Sequence, residues 1–269
     1  MSRSRSLVVA TDGDLIVERD PERPSGRLLW QADMASSYVD LADPRYLDFD
    51  YMRWARLVLH AFKARHVLHV GGAACALARA LLAEDPGSRH EVFEVDERVL
   101  EISRAHMGLR RHPALRLRVA DGRAALETRA GNSADAIMID AFVGARVPRH
   151  LATVEALAEC ARIAPLTVVN VVDTTGRQDA RPIAAGLSAT QRYIGGIGAG
   201  SRRKGNFILF GSAQRPDLRR LESAAAADAA TPRLLRSSDL DGSAPWSDDE
   251  IASLAGQDSG EGGAQAASA

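Results

Sequence analysis

VLHVGGAACALA, Val67 to Ala78, decides the fold. A short apolar run, Val67 to Val70, stops at Gly71-Gly72, and an Ala-rich helical segment follows at once. A strand that turns into a helix through paired glycines lets backbone N–H groups approach a ligand closely. In an open α/β sheet such a turn lies at the carboxyl edge of the strands, where ligands bind. The strict G-x-G-x-x-G spacing is absent, because Ala73, Ala74 and Cys75 follow the pair. Nucleotide binding therefore has to be argued from several strand ends together.

Working outward from this turn, strand and helix patterns alternate. Tyr51–Phe62 has helical spacing of Met52, Ala55, Val58, Leu59 and Phe62, and it feeds the Val67 strand. Downstream, strands are predicted at Glu91–Val95, Leu115–Val119, Ala136–Ile139 and Thr167–Val172. Helices are predicted at Ala74–Glu84, after Asp96, after Asp121-Gly122 and over Arg149–Arg162. Such alternation predicts an α/β fold with a mostly parallel sheet covered by helices on both faces. Tyr193–Ile197 and Phe207–Leu209, separated by a glycine-rich polar loop, read as an antiparallel hairpin at the sheet edge.

Four segments follow from this pattern. Residues 1–45 form a small β-rich lead-in, with strands at Asp14–Arg19, Arg27–Trp30 and Ser36–Leu41 behind a frayed start at 1–6. Residues 46–215 form the main nucleoside-binding domain, 216–240 a helical extension through Leu218–Ala230, and 241–269 a Gly-, Ser- and Ala-rich tail expected to be disordered.

Composition narrows the function classes. A formal net charge of −1 supplies no global field for nucleic acid or a membrane surface, so neither is an expected partner. The 2 cysteines, Cys75 and Cys160, have neither metal-ligand nor disulfide-framework spacing. No metal site is expected. No apolar run reaches the length of a membrane span and the first residues do not read as a signal peptide, so a cytoplasmic protein is expected.

Four acids fall at strand ends. Glu94 lies 23 residues after Gly71, the place of a carboxylate that binds ribose hydroxyls. Asp96 and Glu97 already serve the helix that follows, which leaves Glu94 for a ligand. Asp121, in ADG, either accepts a hydrogen bond from an exocyclic amine such as adenine N6 or caps the next helix. Asp140, in MIDAF, either caps a helix or holds and deprotonates an amine across the cleft from Gly71. Asp173, in DTTG, reads as a turn residue, and His69 as a packed core residue. Together the carboxylates suit a ligand with ribose, adenine and positive charge. A sulfonium nucleoside matches this better than a dinucleotide, whose pyrophosphate they would repel.

These stretches resemble the spermidine/spermine synthase family, from about Leu28 to Leu209. VLHVGGAACALAR resembles its glycine-rich turn, VFEVDERVLEISR its ribose segment and VADGRAAL its adenine segment. IMIDAFVGARVPRHLAT resembles the segment that bears its catalytic aspartate. The AF-x-G-x-x-x-P-x-HL form resembles bacterial spermidine-synthase-like proteins more than the typical enzymes of the family. The resemblance implies a class I methyltransferase-like (Rossmann-like) fold with a seven-stranded sheet. It implies cofactor contacts from Gly71, Gly72, Glu94, Asp96, Asp121 and Gly122, and catalytic roles for Asp140 and Tyr51. The donor would be decarboxylated S-adenosylmethionine or S-adenosylmethionine, the acceptor a small amine, and the assembly a homodimer through the N-terminal β region.

Three positions depart from the family pattern. Ala74 stands where an acid contacts the donor's amine, Val143 where a second acid grips the acceptor, and Met52 where Gln or His follows the substrate tyrosine. The nucleoside half is retained and both amine grips are lost. Three functions follow as expectations: an aminopropyltransferase with an unusual acceptor, an S-adenosylmethionine-dependent methyltransferase, or a non-catalytic relative that kept the fold.

Overall fold

The computed structural model describes residues 7–173, 177–198 and 205–253. The start at 1–6, most of the DTTG turn, most of the loop before Gly205 and residues 254–269 lie outside the described residues.

The chain begins with an antiparallel sheet of β1 (Val8–Asp12), β2 (Leu15–Arg19), β3 (Gly26–Gln31) and β4 (Met34–Asp40), in that spatial order. β1 was not expected. It pairs with β2 across a tight turn in which Gly13 takes a positive φ of 58°. Leu15, Val17, Leu29 and Val39 of this sheet join the same buried cluster as Met52, Trp54, Val58 and Leu59, so the lead-in packs on the main core. In α1 (Asp50–Ala61), Met52, Ala55, Val58 and Leu59 are buried as their helical spacing requires, and Trp54 is buried beside them.

The main sheet contains β5 (His66–Gly71), β6 (Arg89–Glu94), β7 (Leu115–Val119), β8 (Ala136–Asp140), β9 (Leu166–Asp173), β10 (Tyr193–Gly198), β11 (Gly205–Ser212) and β12 (Arg233–Leu235). Its order is β12-β10-β11-β9-β8-β5-β6-β7. β5 to β9 run parallel; β10, β11 and β12 pair antiparallel. This is the expected α/β architecture with one more strand than the expected seven. The added strand, β12, comes from 216–240, whose helix α7 (Leu218–Ala227) returns the chain to the sheet edge.

Except at the edge strand β7, the parallel strands bury side chains on both faces, as their apolar runs require. Val67 and Met138 pack toward α1 and α2 (Ala76–Glu84), while Leu68, Val70, Ile137 and Ile139 pack toward α5 (Val154–Ile163) and α6 (Ala180–Thr190). The helix expected over Arg149–Arg162 is broken. Arg149–Leu151 is a 3₁₀ turn, and α5 starts afresh where Thr153 Oγ1 accepts from the Ala156 amide at 3.2 Å.

Residues 241–253 correct the expectation of a disordered tail. Trp246 is buried, and its carbonyl accepts from the Val154 amide at 2.8 Å. Asp248 pairs with Arg123 at 2.5 Å and accepts from Thr153 Oγ1 at 2.8 Å. One large aromatic and one acid anchor a segment whose average composition favours disorder.

Candidate functional site

β5 is central, with β6 on one side and β8 on the other, so the strand order reverses between β5 and β8. A crevice opens at the carboxyl edge of such a switch point. Gly71 ends β5 there, directly opposite Asp140 at the end of β8. Gly71 has φ +75°, and a Cβ on it would lie 2.5 Å from the Asp140 carbonyl oxygen. Only glycine allows this approach of the two strands. Gly72 follows at φ +104° with open space around it. The turn then continues through Ala73 at φ 45° and Cys75 at φ 59°, left-handed conformations that cost a non-glycine residue about 1 kcal/mol or more each. The glycine spacing is lost at these positions, but the glycine-type backbone is kept.

Glu94 ends β6 and is 8% exposed. Its carboxylate accepts from the Asp96 amide at 3.2 Å and from the backbone of Val95 and Ala73, which ties it to the glycine turn. Burial nonetheless raises its pKa above the ordinary range. Val95, beside it, is 72% exposed. A bare apolar surface between two acids at a ligand-binding edge is suited to the flat face of a base. Sequence reading passed over Val95, because an apolar residue at a strand end reads as core.

Asp96 is occupied otherwise. It caps α3 (Glu97–His106) by accepting from the Arg98 amide at 3.0 Å, and it pairs with the Arg98 guanidinium at 2.6 Å. Asp121 takes up the capping one of its two expected readings. One carboxylate oxygen caps α4 (Gly122–Glu127) through the Ala124 amide at 2.9 Å, and the other lies 3.0 Å from His150 Nε2. Burial pushes its pKa up, but the Ala124 amide and His150 outweigh that and hold it low. Gly122 is packing: a Cβ there would meet Val70 at 2.2 Å.

Asp140 is held by side chains. Its Oδ1 accepts from Asn170 Nδ2 at 2.8 Å, and Asn170 Oδ1 accepts from Asn206 Nδ2 at 3.0 Å. The Tyr51 hydroxyl, from α1, bonds to the same carboxylate. Burial pushes the Asp140 carboxyl up to about 6, against these two hydrogen bonds. Burial first, and then the charge of Asp140, drive the Tyr51 phenol well above its ordinary value. Asn170 was missed, although a polar residue inside the apolar run TVVNVV marks a buried partner for some other group. Asp173 accepts from the Asp179 and Ala180 amides at 2.9 and 2.8 Å, as a turn residue would.

A narrow cleft runs under the glycine turn, lined among others by Met52, His69, Gly71, Gly72, Met138 and Asp140. Glu94 and Asp121 share its sheet edge but do not line it. Ala74 is fully buried, and Val143 is 75% exposed on the loop after β8. No carboxylate therefore stands at either amine grip. Among the described residues no group of three or more His, Cys, Asp or Glu side chains could hold a metal ion, and no helix is long and apolar enough to cross a membrane.

The same architecture occurs in solved structures. A probable spermidine synthase from Corynebacterium glutamicum matches with a TM-score of 0.81 and 27% identity, over 89% of this chain and 95% of that one. A spermidine synthase in complex with the transition state analogue AdoDATO matches at 0.60 and 15% identity, over 92% and 84% of the two chains. The spermidine synthase from Thermotoga maritima matches at 0.60 and 14%, over 92% and 83%. No family profile and no curated protein matches the chain. The chain thus has a spermidine-synthase-like fold.

Proposed function

We propose that this chain binds a sulfonium nucleoside, decarboxylated S-adenosylmethionine, and transfers its aminopropyl group to a small amine. The observation that carries the proposal is Asp140. It stands at the switch-point crevice opposite Gly71, hydrogen-bonded by Asn170 and Tyr51, with a pKa of about 6. A carboxylate with that pKa is ionised at neutral pH, yet basic enough to accept a proton from an attacking amine.

The donor is a substrate, and the residues around it bind and orient. Glu94 takes the ribose hydroxyls, Asp121 the exocyclic amine of the base, and Val95 the base face. The Gly71-Gly72 turn admits the sulfonium. The amine nitrogen then attacks the carbon bonded to sulfur. A C–N bond forms and the C–S bond breaks, with its electron pair going to sulfur. Methylthioadenosine leaves, and the surplus proton of the amine passes to Asp140. Catalysis here is positioning and electrostatics. A homodimer through the N-terminal sheet and a cytoplasmic setting belong to the same proposal.

A second reading is transfer of a methyl group from S-adenosylmethionine. Ala74 favours it, because no acid at that position repels a donor carboxylate or holds a donor ammonium. Calorimetry with each donor, followed by product analysis with a panel of amines, separates the two. Methylthioadenosine release supports aminopropyl transfer, and S-adenosylhomocysteine release supports methyl transfer. Binding of neither donor overturns both.

A further inference from the structure

Arg123, in the first turn of α4, ties together stretches that are far apart in the chain. Its Nη1 and Nη2 donate to the two carboxylate oxygens of Asp248 at 2.6 and 2.5 Å, a bidentate pair. Nη1 also donates to the His150 carbonyl at 3.2 Å and to Thr153 Oγ1 at 3.4 Å. Nε pairs with Glu127 at 3.0 Å, one helical turn on. A planar guanidinium with its donors in a rigid fork fixes what it touches.

Asp248 is held in its turn. Thr153 Oγ1 donates to its carboxylate at 2.8 Å, and its amide donates to Glu155 Oε2 at 3.1 Å. Trp246, just before it, is buried, and the Arg149 guanidinium lies 5.0 Å from the Trp246 ring centroid. These contacts converge on the 3₁₀ turn Arg149–Leu151, which carries His150. His150 Nε2 is 3.0 Å from Asp121 Oδ2. The carboxylate of Asp121 is held low in pKa and is ionised, so His150 donates this bond. Both side chains are open to solvent, His150 at 44% and Asp121 at 45%, so a ligand reaches the pair from outside.

His150 is therefore fastened to α4 twice, by its ring to Asp121 and by its carbonyl to Arg123. The second fastening depends on Asp248. A cation in the first turn of a helix faces the positive end of the helix dipole, so Arg123 needs counter-charge to stay where it stands. Asp248 gives it two hydrogen bonds and Glu127 one.

Taking the nucleoside-transfer reading as its basis, we propose that Asp248 is a positioning residue for the base-binding edge. Through Arg123 it fixes the His150 turn, and His150 orients the Asp121 carboxylate toward the exocyclic amine of the base. With Oδ1 on the Ala124 amide and Oδ2 on His150, that carboxylate is pinned at both oxygens and offers its remaining lone pairs in a set direction. The segment at 241–253 thereby serves recognition of the nucleoside.

The test is calorimetry on the full chain with methylthioadenosine and with its analogue carrying hydrogen in place of the 6-amino group. Wild type is expected to bind the amine form about tenfold more tightly. Asp248→Asn keeps the side-chain shape and removes the charge. It should cut that preference to about threefold or less, while affinity for the amine-free analogue changes by less than about twofold. Asp248→Glu keeps the charge and should restore most of the preference. His150→Leu, at an exposed ring, should lower the preference as far, and adding Asp248→Asn to it should lower it no further. If Asp248→Asn does not fold, Arg123→Lys, which keeps the charge and loses the fork, reads the same link. Equal binding of the two nucleosides by wild type, an unchanged preference in Asp248→Asn, equal weakening of both ligands, or additive losses in the double variant overturns the assignment. Failure of wild type to bind either nucleoside would instead sink the transferase reading beneath it.

Discussion

The two halves of the crevice are built differently. At the β6–β7 edge, Glu94 and Asp121 are held mainly by backbone amides: those of Ala73, Val95 and Asp96 for one, and that of Ala124 for the other. At the β8–β9 edge, Asp140 is held by the side chains of Asn170 and Tyr51, and the floor below it is made of Met52, His69 and Met138. A group fixed by backbone persists wherever the fold persists. A group fixed by side chains can be re-tuned one substitution at a time. Under the proposed function, the backbone-held half would seat the nucleoside and the side-chain-held half the acceptor.

The sharpest way to break that contrast is Asp140→Asn. It should lower transfer by roughly 10²–10⁴-fold while leaving methylthioadenosine binding intact, read by product release and calorimetry. Wild-type transfer should rise as pH passes upward through about 6, because only the ionised carboxylate can take the proton. The same group acts on stability. Its pKa is raised from 3.8 to about 6 on folding. The folded state thus holds this proton where the unfolded chain has lost it. The resulting stabilisation is full below about pH 4 and is lost as pH rises through about 6.

Glu94→Gln should do the reverse. Nucleoside affinity should fall by about 10–100-fold, as expected for a lost charge-assisted hydrogen bond, with little change in turnover at saturation. A smaller effect sharpens the side-chain half. Asn170→Leu removes one hydrogen bond to the ionised Asp140. It should move the acidic limb of the pH–rate profile up by about one pH unit, without altering nucleoside affinity. Smallest is Ala73→Gly, which relieves a left-handed alanine in the turn. It should raise stability by up to about 1 kcal/mol, measured by denaturant unfolding.

The same contrast governs what was legible in the sequence. Gly71, Glu94 and Asp121 follow from the strand–turn–helix pattern, because their places are set by backbone geometry. Asp140 was legible as a strand end, but its environment was not. Asn170 and Asn206 come from β9 and β11, and their approach to Asp140 depends on the strand order of the whole sheet. His69 read as core, and it is buried; its contact with His90 of the next strand is a tertiary one. Val95 was invisible because exposure is a tertiary property. The order at 241–253 was not legible because composition averages over the one tryptophan that anchors that stretch. β12 was missed because three residues carry too little periodicity to read.

The most direct test of the central claim is a crystal structure of this chain with bound methylthioadenosine. The account predicts the ribose hydroxyls on Glu94, the base against Val95 beside Asp121, and the sulfur at the Gly71–Asp140 crevice. A nucleoside seated elsewhere, or in the crevice with its sulfur turned away from Asp140, would contradict it.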